Sequence, residues 1–181
     1  MDAPTPRTAL VTGAARRIGR VVALGLAKDG FAVAVHFNRS EKKARDVVET
    51  IVDGGGKAAL VRADLGREEQ VKGLIGEANG RLGALGLLVN NASVFEDDRA
   101  DTATRESWDM HMEINLRAPF VLMQAFAAQA GATPLGRNVE AEEILGAVRF
   151  ILATPSMTGQ MIALDGGQHL GWAANRQPAQ E

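Results

Sequence analysis

The feature that most constrains the fold is a regular alternation of short apolar runs with helical patterns. Four buried strands are predicted, at Thr8–Thr12, Phe31–Phe37, Lys57–Ala63 and Leu85–Asn90. Helices are predicted between and after them, at Ile18–Asp29, Glu41–Asp53, Glu68–Ala78 and about Ser107–Gln129. Strands that are apolar along their whole length are expected where helices cover both faces of a parallel sheet. The alternation therefore predicts an α/β three-layer sandwich with a mostly parallel sheet.

Composition limits the remaining possibilities. The 181 residues suffice for one domain, predicted to span 1–181, and the net charge of −2 argues against a nucleic-acid or membrane partner. No apolar run approaches the roughly 20 residues that span a bilayer. The first seven residues do not resemble a secretory signal, and without cysteine there are no disulfides or thiol catalysis. A cytoplasmic protein is expected.

The loop after the first strand carries the clearest chemical signal. It reads T-G-A-A-R-R-I-G from Thr12 to Gly19. A strand that turns sharply into a helix leaves backbone N–H groups free at the helix start, and these groups bind phosphate. Gly13 permits the turn, and Gly19 lets the helix pack closely on the sheet. The alternative is a plain strand–helix turn with incidental glycines.

The end of the second strand indicates which dinucleotide binds. NAD-binding domains usually place an acidic residue there to hold the ribose hydroxyls. This chain has Arg39 between Asn38 and Ser40. A guanidinium attracts a 2′-phosphate, and Arg16 on the facing loop could approach the same group. The pattern predicts NADP(H) as the cofactor, with a solvated turn residue as the alternative interpretation of Arg39.

These residues resemble the short-chain dehydrogenase/reductase family, and its pteridine reductase branch most closely. The family motif T-G-x-x-x-G-x-G matches Thr12–Gly19, with Arg17 at the middle glycine. The basic pair there, and the run H-x-x-R-S at His36–Ser40, are similar to the pteridine reductases. Asp64–Leu65 resembles the pair that meets adenine, and Asn90–Ser93 resembles the end of the fourth strand. The resemblance implies a Rossmann-type fold, shortened relative to the family.

The resemblance also implies roles for individual residues. Cofactor contacts are expected from Gly13, Arg16, Arg17, Ile18, Gly19, His36, Asn38, Arg39, Ser40, Asp64, Leu65, Asn91, Ala92 and Ser93. Arg17, Ser93 and Phe95 are expected to bind substrate, Phe95 by stacking on a pterin ring, although it could equally anchor its loop. Asn115 falls where the family keeps an Asn that anchors a proton-relay water. Matches continue through Pro134–Arg137, the helix Glu140–Ala153 and Thr158–Gly167.

The family's catalytic segment has no counterpart here. Hydride transfer in the family uses a Ser and a Y-x-x-x-K, but this chain has no tyrosine and its last lysine is Lys72. Two crossover units are missing, with a splice predicted at 127–133. An incomplete chain of a full-length reductase and a deletion variant that still binds nucleotide both remain open. A different catalyst is disfavoured, because Ser93, Ser107, Asp109 and His111 form no recognisable triad.

The resemblance implies NADP(H)-dependent reduction of a carbonyl or pterin-like C=N bond of a small molecule. The alternative is an inactive NADP(H)-binding protein. In the family the last strand, here about Met161–Asp165, pairs with a sixth strand that this chain lacks. The last strand is therefore expected to move beside the fourth strand, or else two chains are expected to pair and cover that open edge. A homo-oligomer is expected. His111 and Glu113 point apart on a helix, so no metal site is expected.

Overall fold

The computed structural model describes residues 6–130 together with residues 146, 150, 153 and 154. Its sheet has four parallel strands in the order β3-β2-β1-β4. Their bounds are β1 Thr8–Val11, β2 Ala32–Phe37, β3 Ala58–Arg62 and β4 Leu87–Val89. Leu10 of β1 pairs with Ala34 of β2 on one side and Leu88 of β4 on the other. The predicted α/β fold with a parallel sheet is confirmed.

Helices connect and follow the strands. They are α1 Arg17–Lys28, α2 Glu41–Asp53, α3 Glu68–Leu82, α4 Arg105–Met112 and α5 Ala118–Ala130, with a π-helical turn at Glu113–Arg117 between the last two. The bounds of α2 are those predicted, whereas α3 continues to Leu82 and ends before Gly83, whose φ of 91° breaks the helix. The single helix predicted at Ser107–Gln129 instead contains the π turn, since such a turn accommodates one additional residue.

The core lies on both faces of the sheet, because successive side chains of a strand point to opposite sides. On one face, Leu10 and Ala34 pack among buried side chains of α3 and α5. On the other face, Val11 and Val35 pack among buried side chains of α1 and α2. The three layers therefore follow from strands that carry apolar side chains on both of their faces.

Contacts divide the chain into a compact unit Thr5–Phe126, which contains the sheet, and a second unit of Met1–Pro4 with Ala127–Glu181. Of the second unit, the structure describes the end of α5 and four further residues, among which Thr154 Oγ1 donates to the Phe150 carbonyl oxygen at 2.7 Å. Residues 127–130 of the predicted splice belong to α5, whereas residues 131–133 and most of the helix Glu140–Ala153 lie outside the described residues. The matches at Pro134–Arg137 and Thr158–Gly167, which include the last strand, lie wholly outside them.

The predicted position of the last strand beside β4 therefore stays a prediction, as does the single-domain organisation. Within the described part of the chain, no helix combines the length and apolar character needed to cross a membrane.

Candidate functional site

The carboxyl ends of the strands surround a cavity of about 550 Å³. Every residue from which a cofactor contact is predicted lines it: Gly13, Arg16, Arg17, Ile18, Gly19, His36, Asn38, Arg39, Ser40, Asp64, Leu65, Asn91, Ala92 and Ser93. Four further residues that the sequence did not single out also line it: Ala15, Phe37, Val94 and Ile114. Ala15 lies within the recognised loop and Ile114 directly precedes Asn115, but being apolar they carry no chemical signal of their own.

Gly13 and Gly19 allow the loop after β1 to lie against the end of β4. Gly13 has a φ of 65°, and a Cβ there would lie 3.0 Å from the Ala92 Cα. A Cβ on Gly19 would overlap the Gly13 carbonyl oxygen and lie 2.5 Å from Asn91 Nδ2. Both positions therefore require glycine, as the motif predicts.

Hydrogen bonds between Thr12 and the residues after β4 also hold the loop after β1 against the end of β4. Thr12 Oγ1 accepts from the backbone N–H groups of Asn91 at 2.9 Å and Ala92 at 3.0 Å. The Asn91 side-chain amide donates to the Thr12 carbonyl oxygen at 2.8 Å. Asn91 thus lines the cavity while its amide N–H is already used to join two loops.

His36 joins the ends of three strands from within the core. It is 2% exposed. Its Nδ1 accepts from the Gly13 N–H at 3.0 Å, so the ring proton sits on Nε2, which donates to the Ala63 carbonyl oxygen at 3.1 Å. Burial lowers the pKa of His36 from its ordinary value, outweighing the backbone hydrogen bond to Ala63. The ring is a neutral bridge with both nitrogens committed to the protein.

The first turn of α1 is open towards the cavity. Arg16 is the N-cap residue and its side chain makes no capping hydrogen bond. Arg17, at the motif's middle glycine, has a φ of 48° and is the one non-glycine residue with positive φ in the described part of the chain. A non-glycine residue in that conformation costs of the order of 1 kcal/mol or more. The uncapped N–H groups and the helix dipole favour an anion here.

Positive charge surrounds the end of β2 and the start of α2. Arg39 is exposed, and its guanidinium has no hydrogen-bond or ion-pair partner among the described residues. Ser40 is the N-cap of α2 but makes no side-chain capping bond, so its hydroxyl can serve a ligand. An adjoining pocket of about 490 Å³ is lined by Arg16, Arg17, Arg20, Lys43, Asp46 and Ala15. The Glu41 carboxylate is already paired with Arg45.

Asp64 shapes the loop that follows β3. Its Oδ1 accepts from the Gly66 N–H at 3.1 Å, and Oδ2 lies 3.7 Å from Arg67 Nε. Leu65 next to it is buried at 6% exposure. This pair therefore forms a fixed wall of the cavity, with an apolar side chain beside a carboxylate.

Asn115 and Phe95 do not line the cavity. The Asn115 amide makes two hydrogen bonds of 2.8 Å with the backbone of Val94, donating from Nδ2 to the carbonyl oxygen and accepting at Oδ1 from the N–H. Its side chain thus holds the loop after β4. Phe95, on that loop, is 83% exposed.

Of the side chains weighed as another catalyst, Ser107, Asp109 and His111 have partners outside the cavity. Ser107 Oγ donates to Asp98 Oδ2 at 2.5 Å, and His111 Nδ1 lies 2.7 Å from the Ser107 carbonyl oxygen. Asp109 pairs with Arg105 at 2.7 Å. The Ser107 hydroxyl therefore has a carboxylate partner rather than an imidazole base.

Comparisons with known proteins point to one family. The family model described as short chain dehydrogenase matches residues 7–152. The 3-oxoacyl-(acyl-carrier-protein) reductase FabG of Staphylococcus aureus is 35% identical over 142 residues, which cover 78% of this chain and 58% of that protein. An uncharacterized oxidoreductase of Methylorubrum extorquens is 37% identical over 150 residues, covering 83% of this chain and 58% of that protein. The chain thus spans somewhat more than half the length of these relatives.

Solved structures with the same fold include several in complex with NADP. The FolM alternative dihydrofolate reductase 1 of Brucella suis, in complex with NADP, is 32% identical with a TM-score of 0.62, covering 91% of this chain and 96% of that chain. A short chain dehydrogenase of Burkholderia cenocepacia, also with NADP, is 34% identical with a TM-score of 0.65. That second match covers 70% of this chain and 52% of that chain.

Proposed function

Because the chain belongs to the short-chain dehydrogenase family, we propose that it is an NADP(H)-dependent short-chain oxidoreductase whose cofactor occupies the cavity at the strand ends. The observation that carries the proposal is that every predicted cofactor residue lines this one cavity. The NADP complexes of the Brucella and Burkholderia proteins support the same cofactor.

The residues fit the parts of an NADP(H) molecule. The uncapped first turn of α1 suits the diphosphate, since backbone N–H groups and the helix dipole both favour negative charge. Arg39 and the Ser40 hydroxyl suit a 2′-phosphate. Asp64 and Leu65 are assigned to the adenine, and Asn91–Ser93 to the nicotinamide side. The bound cofactor would supply a hydride.

The proposed substrate is a small molecule with a carbonyl or pterin-like C=N bond. Arg17 and Ser93 line the cavity, and Phe95 follows two residues after Ser93 with an exposed ring that can stack on a planar heterocycle. The Brucella neighbour described as an alternative dihydrofolate reductase supports a pterin-like ring. Asn115 falls where the family anchors a proton-relay water, and that role stays a proposal; its side chain holds the backbone of Val94, which lines the cavity.

A second candidate function is NADP(H) binding without catalysis. Reduction of C=O or C=N needs a proton as well as a hydride, and the family's proton donor is a tyrosine. The chain contains none. Homo-oligomer formation and a cytoplasmic location also remain proposals.

Cofactor choice is the decisive test. NADPH should bind at least tenfold more tightly than NADH, about 1.4 kcal/mol. Arg39→Ala should remove most of that margin by weakening NADPH and leaving NADH nearly unchanged. The matched control is Arg81→Ala, which removes an arginine paired only with Glu77 among the described residues. Dissociation constants are measured by fluorescence titration, and equal values for the two cofactors in the unmodified protein would refute the assignment.

A further inference from the structure

Three residues on one helical face bind the loop that leaves β4. Ser107 Oγ donates to Asp98 Oδ2 at 2.5 Å, His111 Nε2 accepts from the Glu96 N–H at 3.0 Å, and Asn115 binds both backbone groups of Val94 at 2.8 Å. Four residues of helix rise about 6 Å, and two residues of extended chain span about 6.6 Å. Positions spaced by four on the helix therefore meet alternate residues of the loop, in opposite chain directions.

The middle contact depends on one tautomer of His111. Because Nε2 accepts from Glu96, the ring proton sits on Nδ1, from which it is donated to the Ser107 carbonyl oxygen at 2.7 Å. The ring is thereby fixed at both nitrogens. It also meets the Phe95 ring edge-to-face, with centroids 6.5 Å apart and planes at 78°.

The residues before and after Phe95 are thus both held by hydrogen bonds, and the Phe95 ring itself contacts His111. Val94 before it is bound by Asn115, and Glu96 after it by His111. Its side chain nevertheless stays 83% exposed. Such a fixed but open aromatic ring binds a flat ligand without having to be ordered first, which lowers the entropic cost of binding.

We propose that His111 is a positioning residue for substrate recognition: by holding Glu96 and the edge of the Phe95 ring, it presents Phe95 to a planar heteroaromatic substrate next to the cofactor cavity. The inference rests on the proposed function, which places the substrate ring at this loop. No role in NADP(H) binding is proposed for His111, because it does not line the cavity.

His111 is the contact that can be changed most selectively. Ser107 also completes the capping box of α4 with Thr104, so its replacement would disturb the helix start. Asn115 lies in the π turn. His111→Ala removes the acceptor for Glu96, whereas His111→Gln keeps an amide oxygen that can accept the same N–H. Asp109→Ala, two positions earlier on the same helix, serves as control because the Asp109 carboxylate pairs with Arg105 rather than with the loop.

The test combines hydrogen–deuterium exchange with ligand titration on the full chain. Circular dichroism first establishes that each variant is folded. In the NADPH-loaded protein, His111→Ala should speed exchange in peptides covering residues 93–98 at least fivefold and leave peptides from α1 and α2 unchanged. It should weaken binding of a dihydropterin about tenfold while NADPH affinity stays within twofold. His111→Gln should restore both properties, and Asp109→Ala should resemble the unmodified protein.

Unchanged exchange at residues 93–98 in His111→Ala would overturn the proposal, as would equal loss of dihydropterin and NADPH affinity. If the unmodified protein binds NADPH but no dihydropterin, the proposed substrate class fails. The exchange result alone then decides whether His111 holds the loop: local acceleration supports it, and no change refutes it.

Discussion

At the scale of single residues, some side chains of the site face the cavity, and others hold the site together through hydrogen bonds to the backbone of neighbouring strands. His36 shows this most clearly. The H-x-x-R-S run singles it out, yet the structure uses both ring nitrogens to connect Gly13 with Ala63. A protonated ring would place a hydrogen on Nδ1 directly against the Gly13 N–H, which is why burial and geometry both favour the neutral form.

Stability should therefore decrease in mild acid because of His36. The pKa of the folded-state imidazole is lowered, so between that value and the ordinary 6.5 the unfolded chain binds the proton more readily. The free energy of unfolding should be greatest above pH 6.5 and decrease as the pH falls below it. His36→Phe should cost about 2 kcal/mol at pH 7.5, since it leaves the Gly13 N–H and Ala63 carbonyl unpaired, and should make the acid dependence shallower.

Urea unfolding at pH 7.5 and 5.5 measures both effects. His111→Gln is the control, because it removes the other histidine of residues 6–130 and leaves His36 in place. Parallel stability curves for the unmodified protein and His36→Phe between the two pH values would contradict the prediction.

Two glycines on α1 allow a matched test of the close approach between loop and helix. Gly19→Ala should destabilise the fold by about 1–3 kcal/mol and weaken NADP(H) binding, because the new Cβ overlaps the Gly13 carbonyl. Gly25→Ala should stabilise it by about 0.5–1 kcal/mol, since nothing lies within 4 Å of its Cβ position. Thermal melting and NADPH titration of both variants provide the measurement. A Gly19→Ala protein as stable as Gly25→Ala would show that the loop yields easily.

At the scale of elements, the π turn connects the loop after β4 with the start of α3. Asn115 within it binds the loop after β4, and Arg117 at its end donates to Glu68 on the first turn of α3 at 2.7 Å. Hydrogen bonds from Arg117 and then Lys72 lower the pKa of Glu68 to about 2. The π turn thus lies where the helix contacts both the loop after β4 and the first turn of α3.

The same helical segment carries an exposed apolar stripe. Its members are spaced by four residues: Trp108, Met112, Leu116 and Phe120. Large apolar side chains in a row are typical of a protein contact surface, and a second copy of the chain is the partner proposed above. If the stripe is that contact, Leu116→Glu should shift the sedimentation mass from oligomer to monomer without changing the circular dichroism spectrum.

Val52→Glu serves as the control for this prediction, because Val52 is an exposed valine at the end of a different helix, α2. It should leave the mass unchanged. An unmodified protein that sediments as a monomer, or a Leu116→Glu protein that keeps the oligomeric mass, would argue against the stripe as an interface.

At the scale of the whole molecule, the described sheet has two edges, β3 and β4. The predicted fifth member, about Met161–Asp165, lies outside the described residues. Among the residues that the structure describes, those lining the cavity fall between Gly13 and Ile114, at or just after the ends of the four strands. We therefore expect cofactor binding to be separable from catalysis in this chain.

That separation predicts NADPH binding without appreciable turnover. NADPH oxidation with dihydropterin or quinonoid substrates should stay at background, because the 181-residue chain has no tyrosine to donate the proton. Absorbance at the NADPH band, followed under saturating cofactor, provides the assay, and NADPH titration of the same sample shows that the cavity is intact. A turnover number of about 1 per second would mean that another residue has taken the role.

The sequence by itself determined the layers, the order of the described elements and most of the described residues around the cavity. Apolar runs mark buried strands, Gly13 and Gly19 mark a turn that no side chain can enter, and Arg39 replaces an acid at a position fixed by the end of β2. Each of these signals is local, because it depends on neighbours within a few residues. The assignment of these residues to NADP(H) stays a prediction that rests on the sequence motifs and on the cavity they line.

Only the tertiary structure decided how the polar side chains are used. Thr12 and Asn91 are 79 residues apart, yet they meet because β4 pairs with β1. His36 reaches Gly13 and Ala63 because β2 lies between β1 and β3. The contact of His111 with Glu96 depends on how the loop after β4 returns along the helix. No local pattern encodes such contacts, since hydrogen bonds between distant residues exist only once the strand order has brought their elements together.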